Sequence, residues 1–362
     1  MRDARRDAGG RWGGGFQWQL RLGITVLTGV VCLASAAWAR TGIEQFPQPP
    51  ELRPAVRFWL DMFTRYGRAD YVIHDRFELG HVYEVVHVET AADLARVDER
   101  VRAVADRLAL RDLWRAAVKP PSVLPPVTVH APADPGVERV RVQRGMRETF
   151  AQALAAERLY RPIVRRALAE EGVPPALAAL PLIESSYHPG AASAAGAVGL
   201  WQLTADTARR YLRVSGSADE RRDPTRATAA AARHLRELRE ALPNWPLAIT
   251  AYNHGLAGVE RARHEVGSDD LGTLVARYSA PGFGFASRSY YAEFLAAREV
   301  LHQVGRYFPD LRPGTVIEYR VRSGDSLYRV AHRHGVTIPS LRQTNGLVSA
   351  RLQPGQLLLI PL

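Results

Sequence analysis

The chain has 362 residues, of which 46% are hydrophobic and 23% charged. That mix excludes wholesale disorder, a collagen-like repeat and a multi-span membrane protein, and the length suits roughly two or three domains. A single cysteine, Cys32, excludes a disulfide framework and any cysteine-cluster metal site. The net charge of +11 is carried almost wholly by arginine, and it suits an anionic partner such as nucleic acid, membrane or cell wall as well as a merely solvated surface.

Arg2, Arg5, Arg6 and Arg11 precede an apolar run over residues 22–39 that ends Ala37-Trp38-Ala39 before Arg40. A basic start, an apolar middle and small residues at the last and third-last positions predict a secretory signal peptide over 1–39. The run has about 18 residues, short for a spanning helix, and Gly23, Thr25, Thr28, Gly29 and Ser35 dilute it. Cleavage would remove Cys32 and leave no thiol; retention would tie the chain to the membrane. Gly29-Val30-Val31 lacks the small residue that a lipobox places before its cysteine, and Gly13-Gly14-Gly15 belongs to the leader and is no phosphate loop. The expected location is the periplasm or cell envelope.

Residues 40–136 read as an α/β-like region with Pro-rich linkers. The first linker contains Phe46-Pro47-Gln48-Pro49-Pro50; the second contains Pro120, Pro121, Pro125, Pro126, Pro132 and Pro135. Between them lie an apolar helix-like start, a β-branched stretch over 82–88 and a helix over 92–118. From 137 to 310 helical periodicity dominates. Asp223-Pro224 offers an N-cap with proline at the first helical position, after which Ala227, Ala230, Ala231, His234, Leu235, Leu238 and Leu242 recur at helical spacing. Further helices run from Pro246 to near Gly255 and from Leu256 to Gly267, giving an all-α domain. A linker over 311–318 leads to a strand, two short helices and a closing strand over 319–362; Gly324-Asp325 supplies a turn and N-cap, and Asn345-Gly346 a helix stop. No repeat of 20–50 residues is present.

Glu184 is the candidate for chemistry. It ends the apolar stretch 177–183, in which Pro181 is expected to kink or end the helix. Apolar neighbours disfavour its charged form and raise its pKa, as a general acid near neutral pH requires. A helix-end glutamate paired with arginine is the plainer alternative. Small residues and glycines follow, letting backbone approach a ligand, and Ser193, Gln202 and the flat face of Trp201 supply what a sugar needs. No second carboxylate follows closely on the C-terminal side of Glu184, although distant segments could bring one near in space. The eleven histidines form no H-E-x-x-H; His332 and His334 read as surface residues, so neither metal nor cofactor is expected.

The run from Glu184-Ser185 through Ser193-x-x-Gly196-Ala197 to Gly199-Leu200-Trp201-Gln202 resembles the soluble-lytic-transglycosylase-like domain, of the membrane-bound lytic murein transglycosylase D type. Asp219-Glu220-Arg221-Arg222-Asp223-Pro224, Ala251-Tyr252-Asn253-His254-Gly255 and Arg288-Ser289-Tyr290 match later motifs in order. Leu203-Thr204-Ala205 departs from the family's apolar-Met-Pro and puts one substrate contact in doubt. The resemblance implies a mainly α protein with a lysozyme-like all-α domain that cleaves the MurNAc-β-1,4-GlcNAc bond of peptidoglycan. Glu184 would be its sole acid/base, with Ser193, Gln202, Tyr252, Asn253 and Tyr290 lining the groove. Tyr252 and Tyr290 could instead be core residues and Asn253 a helix-end group; Asp219, Glu220 and Asp223 fit a loop-organising and capping role. The implied product is a 1,6-anhydro-MurNAc end, formed without water. Hydrolysis of the same bond and a non-catalytic wall-binding scaffold remain alternatives.

Residues 319–362 resemble a single LysM module, a small α+β (βααβ) fold that binds GlcNAc-containing chains. The implied contacts are Gly324, Asp325, Ser326, Leu327, Ile338 and Asn345, with Asp325 and Asn345 open to a purely structural reading. The expected partner is therefore the glycan strand, met by a monomer, and not nucleic acid, because the arginines are dispersed.

Overall fold

A computed structural model describes residues 45–118, 139–216, 218–311, 316–334, 336–345, 347 and 349–361. The expected signal peptide over 1–39, with Cys32, and the expected proline-rich linker over 119–136 lie outside the described residues. Residues 45–47 close a unit Met1–Pro47, and every element below belongs to the unit Gln48–Leu362.

The apolar start of the N-terminal region is α1 (Arg53–Thr64), which buries Phe58, Trp59, Met62 and Phe63 on one face. A three-stranded antiparallel sheet follows, ordered β2-β1-β3 from β1 (Asp70–Asp75), β2 (Val82–His87) and β3 (Val140–Arg144). Val72 pairs with Val85 on one side and Gln143 on the other. Alternation along β1 decides what each side chain meets. Ile73 packs on Val104 and Leu108 of α2 (Ala91–Val118), while His74 turns the other way, onto the rings of Phe58 and Phe285. Asp75, fully buried, accepts from the Phe77 and Glu78 amides, the Tyr83 hydroxyl and Arg139, and so closes the β1–β2 connection.

The helical part comprises α3 (Arg147–Glu170), α4 (Leu180–Glu184), α5 (Ala205–Arg209), α6 (Pro224–Ala241), α7 (Trp245–His254), α8 (Leu256–Val266), α9 (Leu271–Arg277), α10 (Phe285–His302) and α11 (Val304–Tyr307). The expected starts and stops are present. The Asp223 carboxylate accepts from the Thr225 and Arg226 amides at the head of α6, and Gly255 and Gly267 follow α7 and α8. α10 is the central helix, packed on α1, α7 and α4. An aromatic chain ties the N-terminal region to it: Phe63 stacks on Phe150 of α3 with centroids 4.2 Å apart, and Trp59 approaches Phe285 of α10 at 6.3 Å. Within residues 55–118, for which the sequence suggested no chemistry, α1 and His74 of β1 thus form the floor against which α10 rests.

The C-terminal segment is β4 (Val316–Arg320), α12 (Leu327–His334), α13 (Ile338–Asn345) and β5 (Leu357–Pro361), with β4 and β5 antiparallel. Its small core is Tyr319, Val321, Leu327, Val330, Ala331, Leu341, Leu358 and Ile360. The molecule is mainly α with a βααβ module. Among the described residues no helix is long and apolar enough to cross a membrane.

Truncating a sealed ring in the aromatic chain leaves a cavity that rigid neighbours cannot close. Phe63→Ala should lower the unfolding free energy by about 3–5 kcal/mol, measured by denaturant titration.

Candidate active site

Glu184 is delivered by an unusual local path. A 3-10 turn, Pro175–Ala179, runs directly into α4, and Pro181 lies in the first turn of that helix. Pro181 does not end the helix, because its missing amide falls among donors that a first turn leaves unpaired anyway. Glu184 is the last helical residue. Beyond it Ser186 and Tyr187 both take left-handed conformations, with φ of 54° and 57°. Such backbone is costly for side-chain-bearing residues and persists only where surroundings over-determine it. Here they do: the Tyr187 amide donates to the Pro181 carbonyl at 3.0 Å, and its buried ring sends its hydroxyl to the Ala178 carbonyl at 2.7 Å. The Ser185 hydroxyl donates to the Leu200 carbonyl at 2.7 Å, tying the end of α4 to the glycine-rich loop.

That loop, residues 190–203, is bolted from behind by Arg221. Its guanidinium pairs with both oxygens of Asp219 and donates to the Gly196 and Leu203 carbonyls at 2.9 and 3.1 Å. Glycine is obligatory at 199, where φ is 85° and a Cβ would stand 2.0 Å from the Arg221 carbonyl oxygen. The acidic-basic stretch over 219–223 therefore organises this loop and caps α6. Ser193 is exposed on the loop, its hydroxyl accepting from the Ala197 amide at 3.1 Å. Gln202, half-buried with φ of 45°, donates to the Gly199 carbonyl at 2.9 Å. Trp201 corrects an expectation: its indole is fully buried and donates to the Thr228 hydroxyl at 2.9 Å, so it offers no flat face to a sugar. A large ring flanked by Leu200 and Leu203 gains more from the core than from solvent.

Two tyrosines close on Glu184 from other helices. Tyr290 of α10 donates its hydroxyl to the Glu184 carboxylate. Tyr252 of α7 donates to the Trp201 carbonyl at 2.7 Å and feels the charge of Glu184. Both phenols are pushed well above the ordinary tyrosine range, chiefly by burial, so both are neutral donors. Glu184 is pushed up to about 7 because burial outweighs the Tyr290 hydrogen bond, which favours the carboxylate. Asn253 is exposed near the end of α7, its side-chain oxygen 3.5 Å from the Ser287 hydroxyl that donates to it. The structure thus brings Tyr290 onto Glu184 and Tyr252 into its field, with Ser193 and Gln202 on the anchored loop. Glu293 of α10, absent from the sequence reading, also feels the charge of Glu184. Its only sequence signal was its place three residues after Tyr290. Among the described residues no group of three or more His, Cys, Asp or Glu could hold a metal.

The residues singled out in the C-terminal module form a separate set. Gly324 turns at φ 83°. Asp325 accepts from the Tyr319 hydroxyl at 2.6 Å and the Arg322 amide at 2.8 Å, with Arg333 at 3.4 Å. With that carboxylate engaged, Ser326 caps α12 in its place, accepting from the Arg329 amide at 3.2 Å. Leu327 is buried and Ile338 packs partly buried on the module core. Asn345 is buried, exchanging hydrogen bonds with Leu359 of β5 and donating to the Leu341 carbonyl.

Removing the Tyr290 hydroxyl leaves burial to act on Glu184 alone. Tyr290→Phe should raise the Glu184 pKa above its present value near 7, followed by NMR titration of the side-chain carboxyl.

Comparison with known proteins follows this geometry. Residues 162–272 match the transglycosylase SLT domain, and residues 319–361 the LysM domain. The chain is 29% identical over 189 residues to membrane-bound lytic murein transglycosylase D of Escherichia coli K12, an alignment covering 49% of this chain. The same protein of E. coli O6:H1 matches equally. The chain spans about two fifths of the length of these relatives, 40%. Among solved structures, the 70 kDa soluble lytic transglycosylase Slt70 of E. coli matches at 21% identity and a TM-score of 0.35, over 42% of this chain and 25% of that one. Lytic transglycosylase Slt of Pseudomonas aeruginosa matches at 20% and 0.34 over the same shares, 42% and 25%. The chain is thus similar to the transglycosylase SLT domain over residues 162–272, to the LysM domain over residues 319–361, and to membrane-bound lytic murein transglycosylase D over 189 residues.

Proposed function

We propose that the chain is a lytic transglycosylase of peptidoglycan, with Glu184 as its single acid and base. The observation that carries this reading is the Glu184 carboxyl at the end of α4, half-buried, bonded by the Tyr290 hydroxyl and pushed up to about 7 by burial. At neutral pH such a group exists in both forms, so it can give a proton and take one back. In the proposed reaction Glu184 protonates the glycosidic oxygen of a MurNAc-β-1,4-GlcNAc bond as the bond to C1 breaks. The N-acetyl group of MurNAc supports the oxocarbenium-like carbon. Tyr290 stabilises the resulting Glu184 carboxylate. That carboxylate then takes the proton of the C6 hydroxyl, whose oxygen attacks C1 and closes the 1,6-anhydro ring. Atoms balance without water.

The C-terminal module would hold glycan while the helical part cuts, which raises the local concentration of strand at Glu184. Residues 1–40 hold six Arg and two Asp, a charge of +4, so the remaining chain keeps +7 of the total +11 and suits a wall whose stem peptides carry carboxylates. Export by the leader fits this substrate, and we read the chain as a monomer.

Mass spectrometry of the products from purified peptidoglycan tests the reading. Muropeptides lighter by one water than the reducing forms are expected. Ordinary reducing ends would mean a muramidase that uses water, and no release with binding intact would mean a scaffold.

Glu184→Gln should abolish release while the fold stays intact. It should also stabilise the protein in a pH-dependent way. Between pH 4.5 and about 7 the folded state holds a proton on Glu184 that the unfolded state has lost, so wild-type stability falls as pH rises through this window. The melting-temperature advantage of the variant should therefore grow from acid to neutral pH, read by thermal unfolding in a buffer series.

A further inference from the structure

A recess of about 430 Å³ lies where the head of α1, the β1–β2 connection, α9 and α10 come together. Arg76 of the connection and Arg288 of α10 line it, and Phe77, Leu79 and Phe285 give it apolar wall. Phe285, Arg288 and Ser289 share one face of α10, whereas Tyr290 follows Arg288 by two residues and leaves a different face. The motif Arg288-Ser289-Tyr290 is therefore divided, its tyrosine to Glu184 and its arginine to this recess. A third arginine, Arg141 of β3, backs the wall, its guanidinium carbon 4.2 Å from the Phe285 ring centroid.

These arginines meet no carboxylate. Arg288 donates to the Tyr278 carbonyl, a neutral acceptor, at 3.0 Å, and Arg76 lies 5.9 Å from the Phe77 ring centroid. Among the described residues the side chains of Arg76 and Arg141 make no hydrogen bond, and none of the three makes an ion pair. Burial holds Arg288 below the ordinary arginine range, and burial together with the charge of Arg76 does the same to Arg141. Guanidiniums elsewhere in the fold are matched, Arg139 by Asp75 and Arg221 by Asp219. The acidic side chains of the recess are exposed and turned to other groups. Glu78 pairs with Arg139 at 3.6 Å, and Glu51 lies against α9, where a Cβ on Gly272 would stand 2.5 Å from its Oε2. Unmatched like charges in a part-buried recess oppose folding, and an incoming anion relieves them.

We propose that this recess binds a free carboxylate of a peptide, with a small apolar side chain against its wall, and that the peptide is a stem peptide of the peptidoglycan strand. A guanidinium pair suits a carboxylate, which it can grip through parallel hydrogen bonds. The volume belongs to small-ligand pockets, about 300–1,000 Å³, and not to a groove for a polymer. A membrane or a nucleic acid presents its charge on a broad face, which Glu51 and Glu78 would repel. A single projecting carboxylate passes between them. The identity of the peptide rests on the peptidoglycan reading above; the need for an anion rests on the recess itself.

The probe is a synthetic stem peptide without sugar, titrated into the full chain by isothermal calorimetry. It should bind, and amidating its carboxyls should weaken binding by about tenfold or more, as the loss of a charged hydrogen-bond partner implies. Arg76→Gln should weaken binding by a similar factor and melt no lower than the wild type, because it removes an unmatched charge beside Arg141. Arg288→Gln is the second variant and should weaken binding too. Failure of the free peptide to bind, equal binding of the amidated peptide, or unchanged affinity in Arg76→Gln overturns the proposal. Inorganic phosphate and vesicles of phosphatidylethanolamine and phosphatidylglycerol are titrated alongside, and binding by either without binding by the peptide also overturns it. The readout needs no turnover, so its failure leaves Glu184 as the proposed acid untouched, and a failure of product release leaves this binding intact.

Discussion

The hydrogen bond from Tyr290 to Glu184 is the contact on which the rest of the site depends. It couples the end of one short helix to the first half of α10, the central helix. It also sets the chemistry, because burial and this single donor act on Glu184 in opposite directions. Burial alone would hold the carboxyl neutral, and a fully hydrogen-bonded carboxylate would never be an acid near pH 7. The balance between the two yields a group that works both ways.

Holding that balance demands rigidity around a residue that sits at a helix end. Three devices supply it. Ser186 and Tyr187 are kept in left-handed backbone by the bonds of Tyr187 to the preceding turns. Arg221, itself held by two hydrogen bonds to Asp219, clamps the loop behind Glu184 through two more, with glycine at 199 to let the backbones meet. The aromatic chain of Trp59, Phe63, Phe150 and Phe285 fixes α10 against the N-terminal region. The C-terminal module is likewise joined to the helical part, where the buried Tyr160 of α3 donates its hydroxyl to the Thr344 carbonyl at 2.7 Å.

Element boundaries were the most legible feature, because caps and breakers act over a few residues. Asp223-Pro224, Gly255 and Gly267 marked helix ends that the structure reproduces. Pro181 and Trp201 were misread for one reason. Whether a proline starts or breaks a helix depends on where its amide would have pointed, and whether a tryptophan faces ligand or core depends on packing from α6, which supplies Thr228. Asp325 and Ser326 exchanged capping roles because Tyr319, Arg322 and Arg333 claim the aspartate.

Periodicity, capping and ordered motifs are local, so the residues in order were enough for the helical character of the middle region, the βααβ order of the C-terminal module and the prominence of Glu184. Tertiary structure alone decided which side chains meet that carboxyl. Tyr290 lies more than a hundred residues from it along the chain. Its approach depends on α10 seating between α1 and α4, and on the loss of water there. Desolvation belongs to the assembled core and to no single segment. The apolar neighbours of Glu184 gave the direction of its pKa shift from the residues in order, whereas its extent, and the Tyr290 hydroxyl that opposes it, came only with the assembled core.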